Sequence, residues 1–118
     1  MRNLILCSFL LLFVSFTYSQ ESIKVKEIGL EVMKRDIGEM NITDTKEFFA
    51  DLGDGWRLPT IDELKNMFEY RGRIGRFKDD WYLSSTENQY WMWTLSFEDG
   101  DVDNLRTSGY VRAVRDLK

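Results

Sequence analysis

The stretch that decides the fold is Gly55-Trp56-Arg57-Leu58-Pro59-Thr60-Ile61-Asp62-Glu63-Leu64. Thr60 and Glu63 have capping-box spacing, in which each side chain accepts a hydrogen bond from the backbone N–H of the other residue. Pro59 favours an extended chain just before this cap. Apolar residues then recur at helical spacing; they are Ile61, Leu64, Met67 and Phe68. The pattern predicts an extended segment that leads into an amphipathic helix over residues 61–69.

Weaker patterns predict further elements before this stretch. The segment from Ile23 to Met33 alternates imperfectly around Gly29 and predicts one or two short strands. Asp44, with Glu47 three residues later, predicts the N-cap of a second helix over residues 45–52. The sequence Gly53-Asp54-Gly55 predicts the end of that helix.

The second half of the chain predicts strands. From residue 90 the apolar period is two, and one predicted face carries Trp91, Trp93, Leu95 and Phe97. We expect that face to pack in the core. Asp99-Gly100 predicts a hairpin with a return strand through Val102, and a further strand is predicted over residues 110–115. Together these elements predict one α+β domain, with two short helices packed on a small, twisted, mainly antiparallel sheet.

Three later phrases extend the pattern of the opening stretch. They are Trp81-Tyr82-Leu83-Ser84-Ser85-Thr86, Trp93-Thr94-Leu95-Ser96-Phe97-Glu98-Asp99-Gly100 and Tyr110-Val111-Arg112-Ala113-Val114-Arg115. In this order and spacing the four phrases resemble the Lcl C-terminal domain family, the domain that ends certain bacterial collagen-like adhesins. The resemblance covers about residues 29–118. The family has a tryptophan where this chain has Leu83, so a role tied to that indole does not transfer.

The resemblance implies a C-type-lectin-like fold, distantly similar to the formylglycine-generating enzymes. Most members of the family have no assigned activity, and the adhesin example implies binding to sulfated polysaccharide. The formylglycine-generating enzymes act through cysteines, whereas Cys7 is the single cysteine of this chain. That activity therefore does not transfer.

Residues 1–19 have the pattern of a signal peptide. Arg2 supplies a positive charge, residues 4–14 are apolar, and Thr17 and Ser19 place small residues at the −3 and −1 positions of a cleavage site. The apolar core is shorter than the ~20 residues that span a bilayer. We therefore predict a single domain over residues 20–118 that is secreted, periplasmic or displayed at the cell surface, with no membrane span.

Composition excludes several kinds of function. Residues 20–118 carry 15 basic and 20 acidic residues, a net charge of 15 − 20 = −5, which disfavours nucleic acid as a partner. The chain has no histidine, and its one cysteine falls in the predicted signal peptide. A disulfide, a thiol nucleophile, an imidazole base and a cysteine or histidine zinc site are thereby excluded from residues 20–118. Of the 17 aromatic residues, 17 − 4 = 13 remain to pack a core.

A basic segment is the first candidate binding site. Arg71, Arg73, Arg76 and Lys78 place four positive charges within eight residues. Guanidinium groups match sulfate and carboxylate groups bidentately, so this segment could bind an anionic polysaccharide. The alternative is an ordinary solvated loop, neutralised by the two aspartates that follow.

Aromatic side chains are the second candidate, because the apolar face of a sugar packs well on a ring. Trp81 and Tyr90 are the residues predicted for this role, within a wider group that includes Tyr82 and Trp91. The alternative is core packing, which we favour for Trp91.

An acidic turn is the third candidate. Asp99, Asp101 and Asp103, followed by Asn104, suggest calcium, because alternate oxygen ligands on a tight turn can converge on a hard cation. An EF-hand counted from Asp99 would need an acid where Tyr110 stands. The alternative is a solvated hairpin whose acids keep a sheet edge soluble. We predict no cofactor and retain calcium as the exception to test.

The remaining charged residues of the family phrases are assigned to the fold. We expect ion pairs or hydrogen bonds that tie the helix at 61–69 to the last strand. The residues given this structural role are Trp56, Arg57, Thr60, Glu63, Trp93, Arg112 and Arg115. No residue is assigned a catalytic role.

The sequence thus predicts a secreted, non-enzymatic recognition domain whose partner is carbohydrate or another surface polymer. An alternative is a structural or assembly component of a cell-surface or adhesin-like system, which would bind protein and could form oligomers. An enzyme that uses only carboxylates, tyrosine or lysine is disfavoured, because general acid–base catalysis most often uses histidine.

Overall fold

The structure is a computed structural model that describes residues 21–88 and 91–118. A 3₁₀ turn, Lys26–Ile28, separates the first two strands. The strands and helices of the described residues are, in chain order, β1 (Ser22–Val25), β2 (Leu30–Met33), β3 (Gly38–Asn41), α1 (Ile42–Leu52), α2 (Ile61–Glu69), α3 (Arg71–Ile74), β4 (Trp81–Glu87), β5 (Met92–Ser96), β6 (Val102–Asp103), β7 (Ser108–Val111) and β8 (Val114–Asp116).

The strands form two sheets. One has the order β1-β2-β8 and the other the order β3-β7-β4-β5-β6. Every strand pair is antiparallel except β4 with β7, which is parallel. The α+β prediction with mainly antiparallel pairing is confirmed. The predicted single sheet is wrong, and so is the predicted pair of helices, because α3 adds one helical turn immediately after α2.

The predicted strand over residues 110–115 is in fact two strands in different sheets. β7 ends at Val111 and β8 begins at Val114, and the two residues between them are fully buried. At this switch the carbonyl of Val111 accepts from the N–H of Ile37 at 2.8 Å, and the carbonyl of Ala113 accepts from the N–H of Met33 at 3.0 Å. The segment that links β2 to β3 therefore satisfies the backbone where β7 and β8 part.

Helix α2 packs between the two sheets. Its buried residues Leu64 and Met67 lie in one cluster with Tyr82 and Leu95 of the five-stranded sheet. Val114 of the three-stranded sheet belongs to the same cluster. This helix therefore joins the two sheets through a shared core.

Helix α1 covers the other face of the five-stranded sheet. Leu83, Met92 and Val111 form a second core cluster there, against which Ile42 and Phe49 of α1 pack. The sheet is thus covered on both faces, by α2 on one and by α1 on the other.

This double cover changes the burial predicted for β5. Met92, Thr94 and Ser96, on the face opposite to the one predicted to pack in the core, are buried as well, because that face is also covered. Trp93 is only partly buried, and Trp91, which precedes the strand, is 39% exposed. The prediction that Trp91 packs in the core is therefore wrong.

Helix α1 begins three residues earlier than predicted. Its N-cap is Asn41, not Asp44, because the Asn41 side chain accepts from the N–H of Asp44 at 2.8 Å. The Thr45 hydroxyl also donates to the Asn41 carbonyl at 2.7 Å. The predicted end is confirmed, with Gly53 in a left-handed φ of 71°.

The opening stretch has the predicted structure. Arg57 pairs with Val114 through two backbone hydrogen bonds of 2.8 and 2.9 Å. Both hydrogen bonds of the capping box between Thr60 and Glu63 are present, and α2 follows at Ile61. The stretch therefore joins an extended segment beside β8 to the start of α2.

The β5–β6 turn provides a test of packing. Gly100 has a φ of +83°, and a Cβ there would lie 2.9 Å from the ring of Phe68. Gly100→Ala would therefore add steric overlap to an unfavourable φ, and we expect it to lower the free energy of unfolding by about 2–4 kcal/mol in chemical denaturation.

Gly29 is the matched control, since its φ is +70° but a Cβ would meet nothing within 4 Å. Gly29→Ala should cost only the backbone strain, about 1–2 kcal/mol. Equal losses from the two substitutions would contradict the packing of Phe68 on Gly100.

Candidate functional site

Arg57 connects α2 to β8. Its guanidinium donates to both carboxylate oxygens of Glu63, at 2.6 and 2.8 Å, and to Asp116 at 2.6 Å. The hydrogen bond from Arg57 lowers the pKa of the Glu63 carboxyl and raises the pKa of the guanidinium. The geometry places these two phrase residues in an ion-pair network between a helix and the last strand.

Arg112 is buried where the chain passes from β7 to β8. Its Nε donates to Asp36 at 2.9 Å, and its other nitrogens donate to backbone carbonyls of Met33, Gly75 and Arg76 at 2.9–3.1 Å. Asp36 also accepts from the Tyr82 hydroxyl at 2.8 Å, and burial raises the pKa of Tyr82. The buried Arg112 guanidinium thus donates all of these hydrogen bonds to groups of the protein itself.

Arg115 lies on the three-stranded sheet. Its Nε donates to Glu31 at 2.8 Å, and its guanidinium carbon lies 4.3 Å from the centre of the Trp56 ring. Hydrogen bonds from Arg115 and then from Ser22 lower the pKa of Glu31. A charged cleft of about 280 Å³ opens beside this pair.

The basic segment is divided among separate partners. Arg73 pairs with both oxygens of Glu27, and this hydrogen bond lowers the pKa of Glu27 to about 2. Arg76 lies 3.6 Å from Glu21. Arg71 donates to the Phe68 carbonyl and covers its ring, and Lys78 lies 5.5 Å from the centre of the Tyr110 ring. The structure therefore does not gather these four side chains into one anion site.

The aromatic candidates also separate. Tyr82 is fully buried, so its predicted place in a sugar platform is wrong. Trp81 is half-buried, and the guanidinium of Arg106 lies 4.2 Å from the centre of its ring. Tyr90 lies outside the described residues.

The acidic turn bonds to its own chain. Asp99 accepts from the N–H of Asp101 at 3.0 Å. Asp103 accepts from the Thr94 hydroxyl at 2.9 Å and pairs with Arg106 at 3.4 Å. Within residues 21–88 and 91–118, no three acidic, histidine or cysteine side chains lie close enough together to hold a metal ion. The side chains of Asp99 and Asp103 thus bond within the turn and its edge strand, and calcium binding by the turn stays a prediction.

The structure brings together a site that the sequence did not predict, a cleft of about 270 Å³ between α1 and β4. We name it the α1–β4 cleft. Its apolar lining residues are Ile42, Phe49, Leu58 and Met92. Its polar lining residues are Thr45, Lys46, Ser84, Ser85 and Glu87. The cleft thus combines an apolar floor with several polar groups.

Two of the hydroxyl groups that line the cleft donate hydrogen bonds to backbone carbonyls. Thr45 donates to the Asn41 carbonyl, and Ser84 donates to the Trp93 carbonyl at 2.6 Å. At the exposed rim, Lys46 pairs with Glu87 at 3.2 Å. Ser85 is also exposed. Three polar groups therefore remain directed to solvent at the mouth of the cleft.

Sequence reasoning missed this cleft because its walls come from distant segments. Lys46 and Glu87 are both ordinary surface residues in their own segments, and no short motif joins them. The one signal in the sequence is Ser84-Ser85, which lies in one of the four phrases that carry the resemblance.

The Arg57 network predicts a pH dependence. Glu63 has a folded pKa below its ordinary value of 4.5, so it stabilises the fold above that pH and loses this contribution as the pH falls below it. Glu63→Gln keeps a capping side chain but removes the charge. We expect the variant to be about 0.5–1 kcal/mol less stable at pH 7, with the difference shrinking towards pH 3, in urea unfolding at each pH.

Asp62→Asn is the control, because Asp62 is exposed and its i,i+3 pair with Lys65 is long, at 3.8 Å, and therefore weak. It should change the free energy of unfolding by less than about 0.5 kcal/mol at either pH. A Glu63→Gln difference that stayed constant from pH 7 to pH 3 would rule out the ion pair as its cause.

No protein-family model matches the chain, and no curated protein is significantly similar to it. The resemblance to the Lcl C-terminal domain family therefore stays a prediction based on the four phrases. In the part of the chain that the structure describes, no helix is both long enough and apolar enough to cross a membrane.

Proposed function

We propose that this protein is a secreted, non-enzymatic recognition domain of C-type-lectin-like type, which binds a carbohydrate chain through the α1–β4 cleft. The observation that carries the proposal is the pairing of an apolar floor with hydrogen-bonding groups at one rim. Export rests on the signal-peptide pattern of residues 1–19. The lectin-like assignment rests on the four phrases and on the capped junction that leads into α2.

The floor suits the apolar face of a sugar. Phe49 and Met92 contribute a ring and a polarisable thioether, and Leu58 adds a further apolar side chain to the lining. The volume of about 270 Å³ is slightly below the ~300–1,000 Å³ typical of small-molecule sites. The cleft therefore fits about one sugar unit of a longer chain.

The rim suits hydroxyl groups. Lys46 offers donors and Glu87 offers acceptors, while the Ser85 hydroxyl can do both. Because the ion pair is exposed, a ligand hydroxyl can bridge it without leaving a buried charge unpaired. Neighbouring donors and acceptors of this kind match the vicinal hydroxyls of a neutral sugar better than they match a sulfate group.

A non-enzymatic role is supported by where the ionisable groups are used. The carboxyls whose pKa values are lowered are those of Glu27, Glu31 and Glu63, and each is paired with an arginine outside the cleft. These three groups therefore serve the fold, and the polar atoms at the cleft rim provide binding contacts.

The test is a glycan array probed with the full chain, with and without calcium, followed by affinity measurements on the best ligand. Lys46→Ala and Glu87→Gln should each weaken binding by about tenfold, because each removes a charged hydrogen-bond partner of the sugar. Ser85→Ala should weaken it by about three- to tenfold.

Lys65→Ala is the matched control, since Lys65 is also an exposed, ion-paired lysine on a helix but does not line the cleft. It should leave affinity unchanged. Glycan binding that Lys46→Ala and Lys65→Ala affect equally would place the ligand elsewhere. An array with no bound glycan, together with a stable oligomer in light scattering, would favour the assembly role.

A further inference from the structure

Three large apolar side chains are exposed among residues 21–88 and 91–118. They are Trp91, Val102 and Leu105, with Leu105 86% exposed. Trp91 precedes β5, Val102 lies in β6, and Leu105 follows β6 by two residues. In the order β3-β7-β4-β5-β6, β6 is an outer strand, so Val102 lies at an edge of the five-stranded sheet. We name it the β6 edge.

The backbone of this edge is open to another strand. The carbonyl of Asp101 accepts from the N–H of Ser96 at 2.8 Å, and Asp103 lies opposite Thr94. Inward and outward hydrogen bonding alternates along an antiparallel strand, so Val102 directs its N–H and its carbonyl away from β5. An outer strand with such groups is a template for pairing.

The charge of the edge selects the partner. Residues 98–106 contain Glu98, Asp99, Asp101 and Asp103 against Arg106 alone, a net charge of 1 − 4 = −3. Arg106 is itself paired with Asp103 and stacked on a ring. Two copies of this edge would bring like charges together, which disfavours self-pairing. The complementary partner is basic.

We propose that the β6 edge binds an extended, basic segment of another protein as an added strand. Main-chain hydrogen bonds form at Val102, and lysine or arginine side chains of the partner pair with Glu98 and Asp101. An apolar residue of the partner covers Val102. None of these residues lines the α1–β4 cleft, so this inference does not depend on the proposed sugar site.

The test uses a fluorescent peptide of about eight residues in which lysine and valine alternate. Fluorescence anisotropy at about 0.15 M salt should show saturable binding to the full chain. Two matched peptides separate the contributions. A glutamate–valine peptide should not bind, and a lysine–valine peptide N-methylated on every internal amide should bind about tenfold more weakly or worse, because neither of its edges can donate to the ladder.

Two variants locate the site. Val102→Pro removes the outward N–H at an edge position, where proline is tolerated, and should weaken binding about tenfold. Val102→Thr keeps that N–H and a β-branched side chain, and it should bind within about threefold of the parent.

Two results would overturn the proposal. The first is equal binding of the N-methylated and parent peptides to the unmodified protein, which would mean that charge alone attracts them. The second is a concentration-dependent dimer that Val102→Pro abolishes, which would assign the edge to self-association. Since the peptide comparison needs no variant, poor folding of Val102→Pro would not obscure the answer.

Discussion

The buried guanidinium of Arg112 is the contact on which the arrangement of the two sheets depends. It lies where the chain leaves β7 for β8, and it binds the end of β2, the carboxylate of Asp36 and the carbonyls that follow α3. A buried charge without such partners is strongly unfavourable, so the arginine admits only arrangements that bring all of them together. Its main contribution is therefore to specify one fold.

Phe77 completes this centre. Its ring lies 4.0 Å from the guanidinium carbon of Arg112 on one side and stacks on Phe97 at 4.2 Å on the other. Tyr82 adds an edge contact to Phe77 and donates its hydroxyl to Asp36. The polar centre of the protein thus continues directly into its aromatic core, and the segment that carries the basic residues is fixed from within.

Local rules predicted those parts of the fold whose causes are local. The cap of α2 joins Thr60 to Glu63, three residues apart, and Asp99-Gly100 is a typical hairpin-turn sequence after β5. Both features could therefore be recognised from the sequence. Asp36 is 76 residues from Arg112, and nothing in a single sequence pairs them. The predicted burial of β5 was wrong for a related reason. The alternation of apolar residues in β5 gives no sign that α1 covers the second face of the sheet.

The candidate sites also show this difference between local features, which the sequence predicts, and long-range features, which it does not. The basic segment looked like a cluster because its residues are close in sequence, yet Arg73 and Arg76 turn to acids at the start of the domain. Among the described residues, no buried side-chain nitrogen or oxygen lacks a hydrogen-bond partner. The polar groups available to a ligand are therefore those at surface rims, which depend on how distant segments meet.

The carbohydrate site that we propose constrains the kind of ligand it can bind. A small cleft with three polar rim groups makes few contacts with one sugar unit, so its affinity for a single unit is low once the cost of association is counted. Repeated units on a polymer, met by several domains on one surface, raise the effective concentration and convert weak contacts into stable attachment. Under the proposed function, the α1–β4 cleft therefore favours a repetitive surface polymer over a free saccharide, and display at a surface would be part of how the domain works.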